Sequence, residues 1–104
     1  MLMTTVSSEA DARAIAEGLV GRGLAACVQT LPIQSCYRWE GEVRNDSELL
    51  LLIKTSAARQ EDVRAAIEAM HPYALPELLG LSIGFGAPAY LAWIAEQTGG
   101  GEGR

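Results

Sequence analysis

The chain has 104 residues, 49% of them hydrophobic and 20% charged, with a net charge of −5 at pH 7. That length makes one domain with a small core, the composition is that of a globular protein, and the acidic balance makes nucleic acid a poor partner. No run approaches the ~18 apolar residues that span a bilayer, and the start, MLMTTVSSEADAR, lacks the basic-then-apolar pattern of a secretory signal, so a cytoplasmic location with reduced cysteines is expected.

Residues 2–6, LMTTV, are rich in β-branched side chains and predict a strand. Ser8 followed by Asp11 predicts a capped helix start. Ala12, Ile15, Ala16, Leu19 and Val20 then recur at helical spacing as one apolar stripe, with Arg13 and Glu17 opposite and Gly21 and Gly23 as the stop. Residues 24–30 predict a second strand that Pro32 interrupts, where a bulge or an edge is expected. The pattern resumes through Trp39, turns at Gly41-Glu42 and returns over residues 43–55 as a long hairpin, with Asn45-Asp46-Ser47 a second turn-like patch. Residues 49–53 are apolar at every position, which predicts a strand buried on both faces. A second helix opens at Ser56, carries Glu61 and Asp62 near its start, buries Val63, Ala66, Ile67 and Met70, and stops at His71-Pro72. Residues 78–85 predict another strand. Pro88 opens a short helix to Gln97, and residues 99–104 form a Gly-rich tail expected to be flexible.

The order β-α-β-β-α-β plus a final helix predicts a ferredoxin-like α+β domain over residues 1–98. Two helices cover one face of its sheet. Residues 49–53 load both faces, so the second face needs a cover, and another copy of the same chain is expected to supply it.

Five stretches, in order along the chain, carry a resemblance: Gly23-Leu24-Ala25-Ala26-Cys27-Val28, Tyr37-Arg38-Trp39-Glu40-Gly41-Glu42-Val43, Ile53-Lys54-Thr55, His71-Pro72-Tyr73 with Pro76-Glu77, and Pro88-Ala89-Tyr90-Leu91-Ala92-Trp93. Together they resemble the divalent-cation tolerance (CutA) family. The resemblance implies a ferredoxin-like fold, a PII-like homotrimer, and a link to tolerance of copper and other divalent cations. It also implies that the clefts between chains are where PII-like proteins bind small molecules. The chain departs from the family's usual pattern at Gln29, Cys36, Ala74 and Ala87. The two alanines remove potential polar ligands from the cleft.

Copper and zinc prefer imidazole and thiolate, and the chain holds one histidine and two cysteines. The candidate metal ligands are Cys27, His71 and Glu77, with Cu(II) or another divalent cation as the expected ion. Cys27 and Cys36 differ by nine positions and face opposite sides of a regular strand unless a bulge intervenes. The alternative for Cys27 is a small buried core residue. For His71 it is a partner for the last carbonyls of the preceding helix. Trp39, Lys54 and Tyr73 are candidates for a cleft. Trp39 reads alternatively as an interface anchor, and Lys54 as half of an ion pair with Glu40, Glu42 or Glu77. There is no nucleophile elbow, P-loop or HExxH, so the chain is expected not to be an enzyme. The remaining readings are a sensor of a small molecule between subunits and a structural trimeric module.

Overall fold

The computed structural model describes residues 1–99, so the expected tail lies outside the described residues except for Gly99. The elements are β1 (Leu2–Val6), α1 (Glu9–Gly21), β2 (Cys27–Trp39), β3 (Glu42–Lys54), a 3-10 turn (Ala57–Arg59) running into α2 (Gln60–Met70), β4 (Leu78–Gly80) and α3 (Pro88–Gln97). The four strands form one antiparallel sheet in the order β2-β3-β1-β4. This is the ferredoxin-like arrangement that the element order predicts.

α1 starts where expected. Ser8 is extended and its hydroxyl accepts the Asp11 N–H at 3.1 Å, which satisfies one of the donors orphaned at a helix start. Its inner face carries buried Ala12, Ile15 and Leu19, while Val20 is exposed. Gly23, with φ at +72°, lets the chain reverse, and the Leu24 N–H then bonds the Leu19 carbonyl at 2.9 Å. Closing the helix uses Leu24 and Ala25, whose N–H groups both bond the Leu19 carbonyl, so β2 begins at Cys27 rather than at Leu24.

The hairpin is regular. Its register runs without a break from Cys27 opposite Lys54 to Trp39 opposite Glu42. Of the bulge or edge expected at Pro32 the structure shows the edge, and the turn-like patch Asn45-Asp46-Ser47 pairs as regular strand. β2 is the outermost strand, and an edge strand tolerates a residue without an N–H. The turn is Glu40-Gly41, with φ at 51° and 81°. Positive φ at both central residues is the two-residue turn whose twist matches a hairpin.

β3 pairs with β1 only over residues 49–53. The outer part of the hairpin therefore projects past the sheet, and the molecule measures 46 × 26 × 21 Å. On the helix-covered face, Leu2, Val6, Leu51 and Ile53 pack against Ile15, Leu19, Val63 and Ile67, all buried. Met3, Leu31, Leu50, Leu52 and Leu79 point to the other face by strand alternation, where Leu31 and Leu79 are 40% and 54% exposed.

β4 is shorter than residues 78–85 predict. Leu81 still exchanges two backbone hydrogen bonds with Met1, at 2.7 and 3.0 Å. Leu81, Ile83 and Phe85 lie outside any strand of this chain, exposed. The end of α3 is held against the 3-10 turn by Arg59 Nε, which donates to the Thr98 carbonyl at 3.0 Å, and by Thr98 Oγ1 and Ser56 Oγ at 3.1 Å.

Candidate functional site: the cavity beside the long hairpin

α2 ends at Met70, and Pro72 keeps the next residues out of a helix. His71 is extended, and its backbone N–H still bonds the Ile67 carbonyl at 2.8 Å. Its ring is engaged at both nitrogens: Nε2 lies 2.8 Å from the Thr5 carbonyl and Nδ1 lies 3.1 Å from the Tyr73 backbone nitrogen. A carbonyl can only accept and an amide N–H can only donate, so Nε2 carries the proton and Nδ1 accepts. Thr5 lies just beyond the stretch of β1 that β4 pairs, residues 2–4. The imidazole therefore stands in for a strand donor that β4 does not supply there.

The loop from His71 to Glu77 is tied down at two more points. Thr4 Oγ1 donates to the Glu77 carbonyl at 2.7 Å, and Tyr73 Oη donates to Glu48 Oε2 at 3.0 Å. The His71 and Tyr73 rings meet edge-on at 4.8 Å. Between this loop and the projecting hairpin lies a cavity of about 690 Å³, whose lining includes Tyr37, Trp39, Arg44, Glu48, Tyr73 and Glu77. That volume is within the usual range for small-molecule sites. Tyr37 Oη donates to Asp46, which sets its ring. Hydrogen bonding to Asp46 pushes the Tyr37 phenol above its ordinary 10.0. Burial does the same for Tyr73, with the Glu48 carboxylate adding to it and a hydrogen bond involving Ser7 opposing it.

The structure gathers some of the expected site residues and separates others. Trp39, Tyr73 and Glu77 share the cavity. Lys54 does not join them. It sits twelve residues along β3 from the partner of Trp39, about 40 Å at strand spacing. No ion pair holds it among the described residues; its ammonium lies 3.5 Å from Tyr90 Oη and 5.5 Å from that ring's centre. Cys27 is half-buried at the same far end of the hairpin, and Cys36 is exposed. The unbroken strand puts the two thiols on opposite faces, about 30 Å apart. Among the described residues no group of three or more His, Cys, Asp or Glu side chains is placed to hold a metal ion. Cys27, His71 and Glu77 thus do not form a metal site within one chain, and His71 has no lone pair free of a hydrogen bond.

Arg44, Glu48, Tyr37 and Asp46 belong to the cavity region, although no motif in the sequence marks them as site residues. The signal for them is the hairpin register. Once the turn is placed at Glu40-Gly41, residues 35, 37 and 39 of β2 and 44, 46 and 48 of β3 must share one face.

Fold and site together define a ferredoxin-like α+β protein with a ligand-sized cavity at the root of a projecting hairpin, and no helix among the described residues is long and apolar enough to cross a membrane. The family model for the CutA1 divalent ion tolerance protein matches residues 1–97. The chain belongs to that family. It is 46% identical over 100 residues to the divalent-cation tolerance protein CutA of Thermus thermophilus, covering 95% of this chain and 97% of that one. It is 40% identical over 93 residues to the CutA homolog of Xenopus laevis, covering 88% of this chain and 62% of the frog protein. Solved structures agree: the Thermus thermophilus protein superposes with a TM-score of 0.89 at 46% identity, covering 94% and 96% of the two chains. CutA from Synechococcus elongatus superposes with a TM-score of 0.90 at 40% identity, covering 93% and 87%.

Proposed function

We propose that the protein is a homotrimeric, non-catalytic binding protein of divalent-cation tolerance, acting in the cytoplasm. The observation that carries the trimer is the uncovered apolar surface: Leu31, Leu79, Leu81, Ile83 and Phe85 are all exposed, Phe85 at 91%. A single chain leaves these side chains in water, and burial against further copies is the cheapest relief. Both sides of the hairpin beyond β1 carry unpaired backbone groups, which favours edge-to-edge assembly over a lone chain.

Assembly also bears on the ion. In this reading a divalent cation, Cu(II) first, is held by ligands pooled from neighbouring chains. Cys27 and Glu77 are the groups that can serve without breaking a side-chain bond. His71 can serve only by giving up its contact to Tyr73. Lys54 and Trp39 lie too far apart to share a cleft in one chain and can share one only between copies. A second reading, favoured by the aromatic and doubly charged lining of the 690 Å³ cavity, is a small molecule bound there.

The test is calorimetric titration of metal-free, reduced protein with Cu(II) and Zn(II), with Cys27→Ala and Glu77→Gln alongside. Micromolar or tighter binding, in a simple ratio to the trimer and weakened in either variant, is expected. Absence of binding, or binding unchanged in both variants, overturns direct metal binding.

A further inference from the structure

We infer that the cavity beside the hairpin takes a small zwitterion with its ammonium and carboxylate groups at opposite ends of the molecule, as in lysine or an ω-amino acid, an inference that rests on the small-molecule reading above. The lining offers both signs of charge and keeps them apart. Arg44 and Glu48 sit on the same face of β3 four residues apart, about 13 Å along the strand. Neither Arg44 nor the Glu77 carboxylate makes a hydrogen bond or ion pair among the described residues, and Glu48 uses only Oε2, toward Tyr73. Asp46, between them on the strand, is occupied by Tyr37.

Each simpler ligand meets an obstacle here. A plain cation is drawn to Glu48 and Glu77 but faces the guanidinium of Arg44. A plain anion suits Arg44 but faces two carboxylates. A molecule with an ammonium group at one end and a carboxylate at the other complements both. Charge-assisted hydrogen bonds are the strong ones, and the guanidinium fork fits a carboxylate with two parallel contacts. Tyr37, Trp39 and Tyr73 supply the rest of the lining. Their faces suit either an apolar side chain or the edge of an ammonium group. Tyr37 and Tyr73 are already oriented by their phenol hydrogen bonds, and Tyr73 by the His71 contact as well.

The test uses Trp39 as its own reporter. In a Trp93→Phe background, Trp39 fluorescence is titrated with lysine and with straight-chain ω-amino acids of increasing length. The tightest is then compared with the amine lacking its carboxylate and the acid lacking its ammonium group. Saturable binding of at least one amino acid is expected, with each half-molecule weaker by about tenfold or more. Arg44→Gln and Glu48→Gln should each weaken binding by a similar factor. The amide oxygen introduced by Glu48→Gln can still accept from Tyr73, so the loop stays in place. An amine or acid binding as well as the whole amino acid, or Arg44→Gln without effect, overturns the zwitterion while leaving the cavity a ligand site. Silence across the panel, in protein whose mass is three chains, overturns the inference and leaves the trimeric metal-tolerance reading intact.

Discussion

Replacing His71 by alanine separates two roles for the only histidine in the chain. The ring joins three parts of the fold: the end of α2, the Thr5 carbonyl of β1 at 2.8 Å, and the Tyr73 N–H at 3.1 Å. Each hydrogen bond contributes about 1 kcal/mol net, and a buried carbonyl left without a partner costs about 1–3 kcal/mol. Thr5 is 3% exposed, so water does not readily replace the lost donor. The expected loss is about 2–4 kcal/mol. With a urea slope of about 2 kcal/mol per molar, the unfolding midpoint drops by about 1–2 M. The assay is urea unfolding of both proteins with chelator and reductant present, at one fixed protein concentration because assembly is linked to stability. A loss below about 0.5 kcal/mol in chelated protein, becoming large only with Cu(II), refutes the structural role and makes His71 a ligand.

Other outcomes follow from the same geometry. Thr55→Val removes a hydroxyl that donates to the Leu24 carbonyl at 2.6 Å in a residue 2% exposed, and should cost about 1–2 kcal/mol by chemical unfolding. Gly41→Val forces a β-branched side chain to φ of 81° and should cost about 1–3 kcal/mol; an unchanged midpoint contradicts the turn assignment. The Tyr73 phenol is held above its ordinary 10.0 by burial first. A folded-state value above the unfolded one means that this contribution is intact below pH 10 and is lost as pH rises through the folded value. Absorbance titration near 295 nm should show late ionisation, and Tyr73→Phe should flatten that part of the stability curve.

Much of the fold is legible in the sequence because local chemistry and the hydrophobic pattern agree. Ser8, the stripe Ala12-Ile15-Leu19 and the stop at His71-Pro72 all act as their residue types predict. Pro32, which reads as a bulge or an edge, sits on an edge strand that tolerates it, and no bulge forms there. The last strand is shorter than its apolar run, since it ends at Gly80 and leaves Leu81, Ile83 and Phe85 exposed outside the sheet. Their exposure in a single chain fits a role between copies. The site is less legible. His71 looks like a ligand in one dimension, and only the register of β1 with the loop reveals its two hydrogen bonds. Lys54 and Trp39 group together by residue type, although the regular hairpin holds them at opposite ends. Arg44 and Glu48 carry no motif of their own, and they become visible through the turn at Glu40-Gly41.

The central claim is that this chain works as an assembly which covers its second face. Light scattering on a sizing column, in reduced and metal-free buffer, tests it most directly. A particle of three times 11.1 kDa that persists on dilution to low micromolar concentration is expected. A particle with the mass of one chain, stable and soluble with Leu79, Ile83 and Phe85 still in water, contradicts it.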